Sequence, residues 1–374
     1  MTNKTKWILG IIVVVLVVMS IFLLRTAFTG NVVKEDTIKI GFSGVLTGEA
    51  AIYGQSGLAA AKLAVEEQNA KGGVNGKKVE LIVEDDKLSA SESVNIMNKF
   101  VNIDKVDAII IASGSGPTFS GVAVTQQAGI PTMVTTGSAP KITKVGDYIF
   151  RTYPSDSVQG KYGAEIIYNQ LGKKKVAMLY VKNDWGEGIK DVFKNRYEEL
   201  GGKLVHESGI LQTEDDFRTE IAKVKESGAE ALYIPLYPVN LVALAKQKNE
   251  MKLNIPMLGA DACDGDQGVL DVGDGLMYTL VKIDAPESFL NKVKSVKGFE
   301  SLNPNVGAAT TYDATKVLLL AMEKAGTDKL KIKQELKKTS HQGVSNKVEF
   351  ENGDLKEAVF ETKLIKNGKA SKLY

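Results

Sequence analysis

From residue 37 onward, short apolar runs alternate with amphipathic helical stretches, twice in succession, and this alternation narrows the possible folds more than any other feature. Residues 37–44 read as a buried strand ending in a glycine turn. Residues 54–69 place Leu58, Ala61 and Val65 at helical spacing. After the turn Gly72-Gly73-Val74-Asn75-Gly76, residues 78–85 return to strand. Ser89 with Glu92 three positions on forms a capping box for a helix through Asn102. Residues 108–111, 118–128 and 131–135 continue as strand, helix and strand. A second series starts after Ile149-Phe150-Arg151, with helices at 155–171, 186–200, 217–227 and 239–249. Its strands are 175–180, 203–208, 231–235, 257–259 and 276–280. Helices at 288–297, 307–325 and 329–338 follow, and strands at 347–350 and 358–365 close the chain around Asn352-Gly353. Two β-α-β-α series imply two doubly wound, mostly parallel sheets covered by helices on both faces. Such open sheets bind ligands beyond the carboxyl ends of their strands, so the informative residues should lie in loops that follow strands.

A chain of 374 residues exceeds one ordinary core and suits two domains. Ahead of them, residues 7–24 form an apolar run in which only Ser20 is polar. As a helix it would be about 27 Å long, enough to cross a bilayer core. Lys4 and Lys6 precede it, which places the N-terminus in the cytoplasm and everything beyond Arg25 outside. Residues 1–36 are therefore expected to be a membrane anchor and tether. A cleaved signal ending near 27–30 is the alternative, and the lack of a cysteine after the run excludes a lipoprotein. Removing the basic flanks Lys4, Lys6 and Arg25 turns the formal charge of +2 into −1. A near-neutral body with interleaved acids and lysines argues against nucleic acid as a partner. The single cysteine, Cys263, permits no intramolecular disulfide and reads as a small buried hydrophobe.

Motifs for catalysis are missing. Gly114-Ser115-Gly116-Pro117 lacks the nucleophile-elbow spacing, no P-loop is present, and Gly41 to Gly48 departs from the dinucleotide order. His206 and His341 lie far apart, without zinc-ligand neighbours. No enzyme, cofactor or metal is expected. What remains is a set of post-strand loops rich in hydroxyls, glycines and aromatics, suited to a small polar molecule. They carry Tyr53, Ser115, Thr136, Gly137, Ser138, Trp185, Tyr237 and Asp261. On residue type alone, Ser115 and Ser138 serve equally as helix caps and Asp261 as an N-cap. Tyr53 and Tyr237 serve equally as turn aromatics, and Trp185 as packing.

Residues 37–374 resemble the type I periplasmic binding proteins, in particular the Leu/Ile/Val-binding branch that feeds ATP-driven amino acid importers. The resemblance is carried by the opening IKIGFSGVLTGEAAIYGQSGLAAAKLAVEEQNAKGGVNGKKVELIVEDD, by SGSGPT, AGIPTMVTTGSAPKIT and NDWGEG, and by the late TTYDATKVLLLAM. It implies two lobes joined by a multi-strand hinge. Lobe 1 would be 37–154 plus 285–345, and lobe 2 would be 155–284 plus 346–374. The family's ligand lies in the cleft and undergoes no covalent chemistry. By that resemblance Ser115, near a helix N-terminus that suits an anion, meets the ligand carboxylate. Thr136, Gly137 and Ser138 hold carboxylate and ammonium, and Asp261 pairs with the ammonium, one methylene shorter than the family's usual Glu. Tyr53, Trp185 and Tyr237 flank the ligand side chain, with Trp185 where Tyr is more usual. The implied partners are a branched-chain or other neutral amino acid and the permease subunits of an ABC importer. A sensor ectodomain, or a ligand such as an amide, urea or aromatic acid, is the alternative. A ligand without an ammonium would leave Asp261 unpaired.

Overall fold

The first sheet grows outward from a strand that is buried along its whole length. β1 (Ile38–Gly44), β2 (Val79–Asp85), β3 (Ala108–Ala112), β4 (Thr132–Val134) and β5 (Ile149–Arg151) are all parallel, in the order β2-β1-β3-β4-β5. β3 reads AIIIA with every residue buried, as expected of β-branched side chains in a strand covered on both faces. The covering helices are α1 (Ala51–Ala70), α2 (Ala90–Lys99) and α3 (Ser115–Gln127). Ser89 caps α2 by accepting from the Glu92 amide. The computed structural model describes residues 37–374 except Glu49 and Asp284, together with Trp7 and Met19, both helical. The rest of the expected anchor and tether lies outside the described residues. Among those described, no helix is long and apolar enough to cross a membrane.

The second sheet is built from β6 (Lys175–Val181), β7 (Lys203–Ile210), β8 (Ala231–Ile234), β9 (Met257–Gly259) and β10 (Met277–Val281). These five run parallel in the order β7-β6-β8-β9-β10. Their helices are α4 (Asp156–Glu165), α5 (Asp184–Glu199), α6 (Arg218–Glu226), α7 (Pro238–Glu250) and α8 (Gln267–Val272). The chain then goes back to the first sheet with α9 (Glu287–Lys294), α10 (Val306–Ala325) and α11 (Lys329–Leu336). Phe289 and Val293 pack with Ala59 and Leu63 of α1, and Val317 and Leu318 join the core around Ile40 and Phe42. Gly57 is required where α1 crosses β3 and α10: a Cβ there would stand 2.9 Å from Ala112 Cβ and 3.0 Å from Thr311 Oγ1.

Three details differ from expectation. A lobe boundary at 345/346 is too early. β11 (Ser340–Gln342), β12 (Lys347–Glu351) and β13 (Asp354–Leu355) form a small sheet that buries Val348 in the first core and packs the half-buried Phe350 and Leu355 against it. The Phe150 and Phe350 rings meet edge-on at 5.2 Å. Only β14 (Phe360–Lys366), antiparallel to β10, and β15 (Lys369–Lys372) belong to the second sheet. The turn at Asn352-Gly353, both with positive φ, folds β13 back on β12. α3 begins at Ser115 and not at Thr118: Pro117 falls in the first turn, where no intrahelical partner awaits its missing N–H. The helices expected to reach Asn102 and Leu171 end in π-helical turns, Phe100–Asp104 and Ile166–Gln170.

Candidate functional site

Seven of the eight candidates stand within four residues of the carboxyl end of a strand, Tyr53 lies in the first turn of α1, and hydrogen bonds tie several of them together. Ser115 opens α3, behind an extended Gly114. Its Oγ accepts from the Ser138 amide at 3.2 Å and the Ala139 amide at 3.1 Å. A hydroxyl that accepts twice keeps its proton for a further acceptor. Thr136 donates to the Ser113 carbonyl at 2.8 Å, joining the post-β4 loop to the post-β3 loop. Gly137 fits because a Cβ there would lie 2.9 Å from Thr118 Oγ1. Neither serine caps a helix by its side chain, so that alternative is set aside.

Arg151 holds this loop from below. It is fully buried, and its Nη1 donates to the carbonyls of Gly137 (3.2 Å) and Ala139 (2.9 Å). Its Nε and Nη2 both donate to Asp354 Oδ1, at 2.8 and 2.6 Å. With the carbonyls turned inward toward Arg151, the loop amides face the Ser115 side.

On the second sheet, Asn183 caps α5 by accepting from the Trp185 and Gly186 amides, each at 3.0 Å. Its Nδ2 donates to Tyr237 Oη at 3.2 Å. Trp185 is stacked on Tyr237, ring centroids 5.1 Å apart and 25° from parallel. The indole is also part of the second core, so the packing role expected of it is real. Asp261 begins a short 3-10 turn after β9 without capping it. Its Oδ2 accepts from Tyr153 Oη at 2.6 Å, a contact from the segment that leaves the first sheet. Cys263, two residues on, is fully buried.

The two halves meet. Burial first, and then the charge of Asp261, pushes the Tyr53 hydroxyl far above its ordinary value, so that a phenol on α1 lies within the field of the acid that follows β9. Burial, opposed by the Asn183 hydrogen bond and aided by Asp261 and Asp156, also raises the Tyr237 hydroxyl. Burial likewise raises Asp261 itself, against the Tyr153 and Gln159 side chains that lower it. Lys141 and Asp184 form an ion pair at 2.5 Å across the gap. Ser115 is thus tied to the post-β4 loop, Trp185 to Tyr237, and Tyr53 and Tyr237 to the field of Asp261. A separate hollow of about 550 Å3, lined by Leu46, Ile52, Leu58, Phe299 and Leu302 among others, includes none of them. Among the described residues, no group of three or more His, Cys, Asp or Glu could hold a metal ion.

Sequence reasoning missed four contributors: Arg151, Tyr153, Asp156 and Asn183. Arg151 had a signal, since a basic residue ending an apolar strand needs a partner. Asn183 resembled a routine cap, which it also is. Asp156 and Tyr153 carried no periodic or motif signal; their roles come from residues distant in the chain.

The periplasmic binding protein family model matches residues 37–368. The leucine-, isoleucine-, valine-, threonine- and alanine-binding protein of Pseudomonas aeruginosa is 29% identical over 88% of this chain and 90% of its own. An amino acid binding protein of the same organism is 30% identical over 85% of this chain and 87% of its own. The crystal structure of the branched-chain amino acid transporter substrate binding protein LivJ from Streptococcus pneumoniae, in complex with isoleucine, superposes with a TM-score of 0.79. It is 26% identical and covers 90% of this chain and 99% of its own. The chain belongs to the type I periplasmic binding proteins, in the branched-chain amino acid family.

Proposed function

We propose that this protein is an extracytoplasmic receptor that captures a neutral, hydrophobic α-amino acid between its lobes and delivers it to the permease of an ABC importer, performing no catalysis. The segment 7–24 would tether it to the membrane. One observation supports the reading above the rest: a hydroxyl at a helix N-terminus follows one sheet, while an acid held by Tyr153 and a stacked aromatic pair follow the other. That is the polarity of a zwitterion with an apolar side chain. The Ser115 hydroxyl, which keeps its proton for a further acceptor, and the positive end of α3 suit a carboxylate. Asp261 suits the ammonium, and Tyr53, Trp185 and Tyr237 suit an apolar side chain.

Closure follows from such a site. A ligand that contacts both halves stabilises the closed form by its differential affinity for that form, and the hinge supplies the motion. What the relatives from Pseudomonas and Streptococcus are named for binding supports a branched-chain or similar ligand.

A melting-point screen of the full chain in mild detergent against the twenty amino acids, urea, simple amides and benzoate tests the proposal. A tight ligand at a hundredfold excess over its Kd adds about 2.7 kcal/mol. Leucine, isoleucine or valine should raise the melting point, and Asp261→Ala should weaken that ligand by more than about tenfold. A shift with urea, an amide or benzoate alone would replace the amino acid by that class.

A further inference from the structure

The buried acids of this chain are handled unequally. Asp86 accepts from Ser43 and Ser113 hydroxyls and the Leu88 amide, and Asp313 from the Val344 and Ser345 amides and the Ser345 hydroxyl. Asp156 is as fully buried as Asp86, yet neither of its carboxylate oxygens has a hydrogen-bond partner. A buried carboxylate left in that condition is among the least favourable arrangements a protein can hold.

Its position explains what would relieve it. Asp156 is the first residue of α4, and its amide donates to the Ser138 carbonyl at 2.9 Å, which fixes it against the post-β4 loop of the cleft. The groups that face it are Ser138, Arg151, Tyr153, Trp185, Tyr233, Tyr237 and Asp261. Arg151 is the one cation among them, and its guanidinium is committed to Asp354 and two carbonyls. The Tyr233 hydroxyl is also buried and unpartnered. Burial, with Asp261 adding to it, pushes the Asp156 carboxyl well above its ordinary range, although the nearby Ser138 and Trp185 side chains and the charge of Arg151 lower it. Two acids and a phenol without a partner therefore lie close together with no uncommitted cation beside them. A primary ammonium has three N–H donors and one charge.

We propose that Asp156 is a second counter-ion for the ligand ammonium, completing with Asp261 a two-carboxylate seat that restricts the cleft to ligands with a charged amine. This rests on the amino acid reading above. In the empty site the two acids share a proton. When the ammonium enters, it pairs with both carboxylates, and that proton leaves to solvent. Amides, urea and aromatic acids would leave the pair unneutralised, so the seat acts against them.

Calorimetric titration of the full chain with L-leucine and with L-2-hydroxyisocaproate tests this, since the two differ only at the ammonium. The unaltered protein should prefer leucine by about 100-fold or more. Asp156→Asn should lose about tenfold or more for leucine, and less than about threefold for the hydroxy acid, so that the ratio collapses. A preserved ratio in Asp156→Asn overturns the seat alone. Equal binding of the two probes by the unaltered protein, or binding of neither, overturns the amino acid reading and the seat with it. If Asp156→Asn does not fold, leucine titrations of the unaltered protein at pH 7 in two buffers of different ionisation enthalpy decide the matter. Release of about one proton per leucine supports the seat, and none overturns it.

Discussion

Replacing Arg151 by methionine removes one guanidinium and leaves a side chain of similar length in the same apolar surroundings. Four donor contacts disappear: two to Asp354 Oδ1, at 2.8 and 2.6 Å, and one each to the Gly137 and Ala139 carbonyls. Asp354 is 31% exposed, so its charge can rehydrate. The pair therefore contributes about 1–2 kcal/mol, less than the 3–5 typical of a fully buried ion pair broken on one side. The two carbonyls sit in the interior and lose their donors at about 1 kcal/mol each. The sum is about 3–4 kcal/mol, a large part of the 5–15 kcal/mol by which domains are ordinarily stable. Urea denaturation of the ligand-free protein, followed by circular dichroism, should show this loss with the slope unchanged. Ligand affinity should fall as well, because the same contacts hold the 137–139 loop in place. A loss below about 1 kcal/mol would refute the reasoning. It would mean that water replaces the guanidinium at those carbonyls.

Gly137→Ala places a methyl 2.9 Å from Thr118 Oγ1 and 3.1 Å from Ile142 Cδ1. It should cost about 1–3 kcal/mol in thermal melts and weaken the ligand. Lys141→Met removes the ion pair with Asp184 across the gap. With side chains 44% and 35% exposed, that pair is worth at most about 1 kcal/mol, so affinity should drop by no more than about fivefold and in a salt-dependent way. The pH dependence of the ligand-free protein follows from Asp156 and Asp261, both raised by burial. The folded state holds a proton that the unfolded chain has released above about pH 4, so stability should fall as pH rises from about 4 toward neutrality. Asp86 and Asp313 share that sign, so Asp156→Asn should flatten the slope only in part. Asp147, held down at about 2 by Lys333 and Lys337, acts the other way and only below about pH 4. Identical slopes of melting point against pH in the two proteins would count against an unpaired Asp156.

Local physics made much of this protein legible before its shape was known. Periodicity located the strands and helices of both series, because burial on one or both faces acts within a few residues. Ser89 and Glu92 could be read as a cap because both partners lie in one turn. The loops after strand ends could be read as the site, because parallel sheets leave that edge open. The 347–350 strand was found but assigned to the wrong lobe. Its pairing with 340–342 and its packing on Phe150 depend on a chain reversal that periodicity does not encode.

The sequence by itself determined the two-series α/β architecture and which loops bear hydroxyls, aromatics and an acid, since these rest on short-range pattern and residue chemistry. Only the tertiary structure decided which of those groups face one another. Arg151 finds Asp354 across 203 residues, and Tyr153 finds Asp261 across 108. Asp156 is unpaired only because the fold surrounds it with groups that cannot neutralise it. Desolvation and charge act through space, and their strength is set by what the fold packs around a group, whatever its neighbours in the chain.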